Sequence, residues 1–192
     1  MAIPKEYLGY FAAELAGRLE KSGKVRIADK AAATEKVQQV LLDDMAKEDK
    51  LNQEVRQYLE QYQERIRRDA ISYQEMYKLV KRELQKKYKI TSVSRPEAGS
   101  KLARDKIIEL SHQMAKSLAA LKPQVELLDE PNEVRLEIMR QMQELLREEN
   151  KMDQMVRQKI QSQKREIVEG SAEWDILFRK YYFEELRKLG VA

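Results

Sequence analysis

The chain repeats itself at helical spacing. The segment Lys50-Leu51-Asn52-Gln53-Glu54-Val55-Arg56-Gln57 returns as Lys151-Met152-Asp153-Gln154-Met155-Val156-Arg157-Gln158, a shift of 101 residues. Six of the seventeen pairs from Lys50/Lys151 to Ile66/Ile167 are identical. The same shift pairs Val37 with Ile138, Leu41 with Met142, Met45 with Leu146, Glu48 with Glu149, Leu59 with Ile160, Tyr73 with Trp174 and Tyr77 with Phe178. Nearer the start a shift of 99 pairs Leu8, Phe11, Leu15 and Leu19 with Ile107, Leu110, Met114 and Leu118. Apolar residues three and four apart mark one face of a helix, and a repeated stripe predicts one helical unit used twice.

Composition agrees with helices. Charged residues make up 36% and hydrophobic residues 42%, while Gly and Pro number only 6 and 4. Long exposed helix faces rich in Lys, Glu, Arg and Gln produce this balance. The chain has no cysteine, so it has no disulfide framework and no thiol nucleophile. No apolar run approaches the roughly 20 residues that span a bilayer, and no signal-peptide core is present. A cytoplasmic protein is expected. The net charge of +4 sits entirely in residues 1–99, with 20 Lys and Arg against 16 Asp and Glu; residues 100–192 carry 17 of each.

A first helix is expected over Pro4–Leu19, stopped by Ser22-Gly23. An extended piece, Lys24–Asp29, follows, with Asp29 capping the next helix. From Lys30 to Arg68 the stripe Val37, Leu41, Met45, Leu51, Val55, Leu59, Tyr62, Ile66 is interrupted only at Glu48. This is one long helix or two meeting at a polar kink; the gap favours a break near Lys47–Lys50. Ser72-Tyr73-Gln74-Glu75 has the capping-box pattern and predicts the start of a third helix. Residues 91–100 read as a linker. The second half follows the same plan. A helix over Leu102–Leu121 is followed by a connection from Pro123 to Pro131. A long segment, with Asn132 as its cap, runs to Val168. A last helix covers Ala172–Leu189, and Gly190 is its stop.

That last helix carries a resemblance. Gly170-Ser171, Glu173-Trp174, Arg179-Lys180-Tyr181-Tyr182 and Glu184-Glu185-Leu186-Arg187 stand in the order that marks the domain-of-unknown-function family numbered 507. Met155-Val156-Arg157-Gln158-Lys159-Ile160 in the preceding helix fits as well. The match is specific over roughly the last 45 residues and looser elsewhere, so the chain looks like a tandem repeat of the family's unit. In the first half Tyr73 replaces Trp174, and Val80-Lys81 replace Tyr181-Tyr182. The resemblance implies a small helical bacterial cytoplasmic protein and brings no activity with it.

Few residues suggest chemistry. His112 is the sole histidine, whereas a metal site needs three or four ligands. No Gly-rich phosphate loop occurs, and the carboxylates alternate with Lys and Arg as on a solvated helix face. Catalysis and a cofactor are therefore not expected. A basic cluster is the first binding candidate: Arg65, Arg67 and Arg68 end the long helix, and Lys78, Lys81, Arg82, Lys86 and Lys87 follow. Lys78, Lys81, Arg82 and Lys86 recur at helical spacing and are candidates for phosphate contacts. The second candidate is aromatic. Trp174, Phe178 and Tyr181 share one face and read as core, leaving Tyr182 and Phe183 as candidate protein contacts. The methionines, Met139, Met142, Met152 and Met155 among them, read as adaptable core packing.

The sequence thus predicts an all-α protein of two related helical units. Each has a short first helix, a long or kinked middle segment and a final amphipathic helix. Residues 1–90 form the basic first unit, 91–100 the linker and 101–192 the second. The expected function is that of a non-catalytic interaction or scaffold module with a protein partner and no membrane association. The alternative is a nucleic-acid- or ribosome-associated protein using the basic face of the first unit.

Overall fold

A computed structural model describes residues 4–62, 72–88, 101–163, 165 and 167–190. They form α1 (Lys5–Lys21), β1 (Val25–Ile27), α2 (Lys30–Gln61), α3 (Tyr73–Lys87), α4 (Arg104–Ala119), β2 (Val125–Leu127), α5 (Pro131–Gln161) and α6 (Ala172–Lys188). Among the described residues the regular structure is helical apart from two three-residue strands. The order helix, strand, helix, helix occurs twice.

Helix boundaries follow local chemistry in most places. The Asp29 carboxylate accepts the Ala32 backbone N–H at 3.0 Å and caps α2. Ser171 Oγ accepts the Trp174 N–H at 3.2 Å and caps α6. Gly190 ends α6 at φ +83°, a left-handed conformation that costs glycine little. Two expected caps are corrected. Ser72 precedes α3, but its side chain makes no cap hydrogen bond. The next long helix begins at Pro131, one residue before Asn132; proline's fixed φ suits a first helical position, and Asn132 instead accepts two hydrogen bonds from Arg135.

The expected break near Lys47–Lys50 does not occur. α2 and α5 are single helices of 32 and 31 residues. The polar gap in each stripe is filled by charged groups with partners, so it needs no kink, and neither Gly nor Pro forces one. The second segment is shorter than expected, ending at Gln161 rather than Val168.

The strands pair antiparallel, with Val25 opposite Leu127, Arg26 opposite Glu126 and Ile27 opposite Val125. Val25 and Val125 point into the core, while Arg26 Nη1 meets Glu126 Oε2 at 2.7 Å outside. The sequence marked Lys24–Asp29 as extended. It gave no sign that this piece pairs with residues 125–127, because three-residue strands carry too little alternation to reveal a partner.

α1 packs on α2 and α5, and α4 packs on α5 and α2. One core therefore takes residues from both halves: Leu8, Phe11, Leu15 and Leu41 lie in the same cluster as Leu110, Met114, Ile138 and Met142. Burying each such side chain contributes about 1.5–3 kcal/mol. The two crossings use corresponding positions. The Tyr7 hydroxyl donates to the Leu145 carbonyl at 3.3 Å across α1 and α5. Lys106 pairs with Asp44 across α4 and α2. Tyr7 stands 99 residues before Lys106, and Asp44 stands 101 before Leu145. Arg18 adds a two-pronged bond to Glu148, at 3.1 and 2.8 Å.

Positions 101 residues apart share burial in several places and differ in others, such as Glu48, with 29% of its side chain exposed, and Glu149, with none. Val37/Ile138, Leu41/Met142, Leu51/Met152, Val55/Val156 and Leu59/Ile160 are buried on both sides. Trp174 is 4% exposed, but Tyr73 is 48% exposed. Trp174, Tyr182 and Leu186 of α6 belong to the main core. By contrast α3 sits on a satellite cluster of Val55, Leu59 and Val80, with Met76, Tyr77 and Leu84 partly covered.

Candidate interaction surface on the α2–α3 hairpin

α3 is amphipathic, and its inner face is narrow. Met76, Tyr77, Val80 and Leu84 meet α2, and Val80 alone is fully buried. The Tyr77 hydroxyl donates to Asn52 Oδ1 at 3.0 Å and the Tyr88 hydroxyl to Glu54 Oε1 at 2.6 Å, fastening the two helices. On the opposite side Leu79 is 56% exposed. Glu75, Lys78, Arg82, Glu83 and Lys86 surround it at helical spacing and are exposed as well. Tyr58 and Tyr62 lie exposed at the end of α2, their rings tilted by 33° with centroids 5.0 Å apart.

The cations predicted to act together are divided. Lys81 turns toward α2, half-buried, with its Nζ 3.7 Å from Glu48, so it leaves the shared face assigned to it. Lys86 pairs with Glu83 at 2.8 Å. The Lys87 ammonium lies 5.3 Å from the centre of the Tyr88 ring. Lys78 and Arg82 are exposed and make no ion pair with the other described residues. Arg65, Arg67 and Arg68 lie outside the described residues.

The aromatic candidates also separate. Tyr182 is corrected: it is a core residue, 3% exposed, and its hydroxyl donates to Glu149 at 2.9 Å. The packing of α6 on α5 turns it inward, stacked on Phe178 at 5.6 Å. Phe183 remains 45% exposed. His112 is exposed on α4. Among the described residues no cluster of His, Asp and Glu could hold a metal ion, and no helix is long and apolar enough to cross a membrane.

Sequence reading placed the carboxylates on solvated faces. Several are, but two groups are buried. Glu149 is fully enclosed; its Oε1 accepts from Lys101 at 2.7 Å and from Tyr182, and its Oε2 has no hydrogen-bond partner. Asp153 holds Lys101 at 3.0 Å and Arg157 at 2.5 Å. Asp44, 2% exposed, pairs with Lys106, and its second oxygen also lacks a partner. Burial raises the Asp44 and Glu149 carboxyls above their ordinary range, outweighing the lysine beside each. Burial opposes the Asp153 charge too, yet Arg157 and Lys101 hold that group below its ordinary value. Burial, and then the Glu149 carboxylate, push the Tyr182 phenol upward. These groups lie at the contacts between packed segments and join them. Of these three carboxylates only Glu149 leaves a mark in the sequence, by interrupting the apolar stripe; Asp44 and Asp153 leave none.

Glu149 makes stability depend on pH. A carboxyl raised above 4.5 on folding takes up protons in the native state, so its contribution falls as pH rises from about 4.5 through the raised value. Glu149→Gln keeps an acceptor for Tyr182 and removes the titration. The melting temperature of this variant is expected to gain on the wild type as pH increases from about 4 to 7. Melts whose difference stays constant, or moves the other way, would contradict the burial argument.

Two long helices, each crossed by the same two short ones and fastened by buried lysine–carboxylate pairs, define a helical protein. The chain belongs to the family described as "Protein of unknown function (DUF507)", whose model matches residues 1–191. A single match takes in both halves, so the first half lies within the family pattern even though it departs from the C-terminal signature. No curated protein matches the chain.

Proposed function

We propose that this is a non-catalytic protein–protein interaction module and that the outer face of the α2–α3 hairpin is its contact surface. The observation that carries this reading is Leu79, exposed at the centre of a charged helix face. A large apolar side chain ringed by charges is the pattern of an interface anchor with a polar rim. Tyr58 and Tyr62 add amphipathic rings to the same hairpin. We also infer that the two halves arose as copies of one unit. Support comes from the repeated element order, the matched burial and the corresponding Tyr7–Leu145 and Lys106–Asp44 crossings. On this view the second copy kept its last helix in the core through Trp174. The first copy left its own on the surface, free to bind. A cytoplasmic location fits this role.

The test is isolation of the tagged full chain with its partners, before and after nuclease. A partner retained after nuclease and lost with Leu79→Asp, at an unchanged melting temperature, supports the reading. A partner retained by that variant would overturn it. The second reading, nucleic-acid binding, is favoured by Lys78 and Arg82, whose charges are exposed without an ionic partner among the described residues. It predicts RNA affinity that falls steeply with salt and is lost on reversing both charges. The pairing of Lys81 with Glu48 and of Lys86 with Glu83 weakens that reading.

A further inference from the structure

Lys47, Lys50, Leu51 and Glu54 fall on one side of α2, at spacings of three, four and seven from Lys47. Together with Tyr88 at the end of α3 they line a groove of about 200 Å³. Leu51, only 3% exposed, forms its apolar floor, and the half-open ring of Tyr88 forms a wall. Lys47 and Lys50 stand exposed on the rim, and the Lys87 ammonium lies over the Tyr88 ring at 5.3 Å. The one acid in the lining, Glu54, is engaged by the Tyr88 hydroxyl at 2.6 Å. Two lysines therefore line a small apolar recess, and a third lies over the ring that walls it.

We infer that this groove docks an acidic peptide segment of the partner protein. One large apolar side chain seats on Leu51 and Tyr88, and flanking carboxylates meet Lys47, Lys50 and Lys87. Charge complementarity selects the carboxylates, and the recess selects the anchor. A phosphate backbone would satisfy the lysines but leave the apolar floor uncovered. The inference rests on the reading of the hairpin as a protein-binding element and supplies the partner's chemistry.

The probe is a short fluorescein-labelled peptide of glutamates around one phenylalanine, titrated into the full-length protein at low salt. Fluorescence anisotropy is expected to give a Kd below about 1 mM. Replacing the phenylalanine by alanine should weaken binding about tenfold, as should Lys47→Glu with Lys50→Glu in the protein. Lys116→Glu, an exposed cation on α4 outside the groove, should leave peptide binding unchanged. Equal binding of the two peptides, no binding at millimolar concentration, or tighter binding of a single-stranded RNA of the same charge would each overturn the inference. Failure here is separable from failure of the wider reading. If partner capture survives the Lys47/Lys50 reversal but is lost with Leu79→Asp, the groove is not the docking site and the interaction surface stands.

Discussion

Trp174→Ala is expected to lower stability by about 3–5 kcal/mol, the range for a buried aromatic truncated in a core that cannot fully collapse. Trp174 is 4% exposed in the main core, one turn after the Ser171 cap that starts α6. Its loss leaves a cavity beside the stacked Phe178–Tyr182 pair and loosens α6 from α5. The matched change Tyr73→Ala, at a position 48% exposed, should alter stability by about 0.5 kcal/mol or less. Urea or thermal unfolding of the two variants side by side checks both values. Similar losses in the two would mean that α3 and α6 are held alike, against the burial described above.

The second large effect concerns the bridge between α4 and α2. Lys106→Met should cost about 3–5 kcal/mol, because it strands the Asp44 carboxylate inside the protein without its counter-charge. Asp44 is 2% exposed, and its other oxygen already lacks a partner. Burial raises its carboxyl even in the presence of Lys106, so removing the lysine raises it further. The loss in Lys106→Met should therefore be smallest at a pH low enough to protonate Asp44, and grow as pH rises. Adding Asp44→Leu should restore most of the stability, since a buried ion pair replaced by packed apolar groups is often neutral or better. A double variant no more stable than the single one would show that Lys106 acts by packing its stem and not by compensating Asp44.

The sequence by itself determined the helices. Apolar residues three and four apart, few glycines and prolines, and residues such as Asp29, Ser22-Gly23 and Gly190 state where a helix is favoured and where it stops, because these preferences act within a turn of chain. The matched spacing of Val55/Val156 and Leu59/Ile160 is legible for the same reason, since it holds whatever surrounds these residues. The C-terminal signature likewise announced the family. Which groups meet across the chain was decided only by the tertiary structure. Glu149 and Asp44 look like any surface carboxylates until Lys101, Tyr182 and Lys106 arrive from distant segments. An interruption in a stripe reads the same for a kink as for a buried charge with a partner. The pairing of the three-residue strands depends on the flanking helices that bring them together, and their own pattern does not announce it. Tyr73 and Trp174 stand 101 residues apart in matching sequence patterns, yet one lies outside and the other inside. Burial is a property of the neighbours that fold around a residue, and those neighbours are not adjacent in the chain.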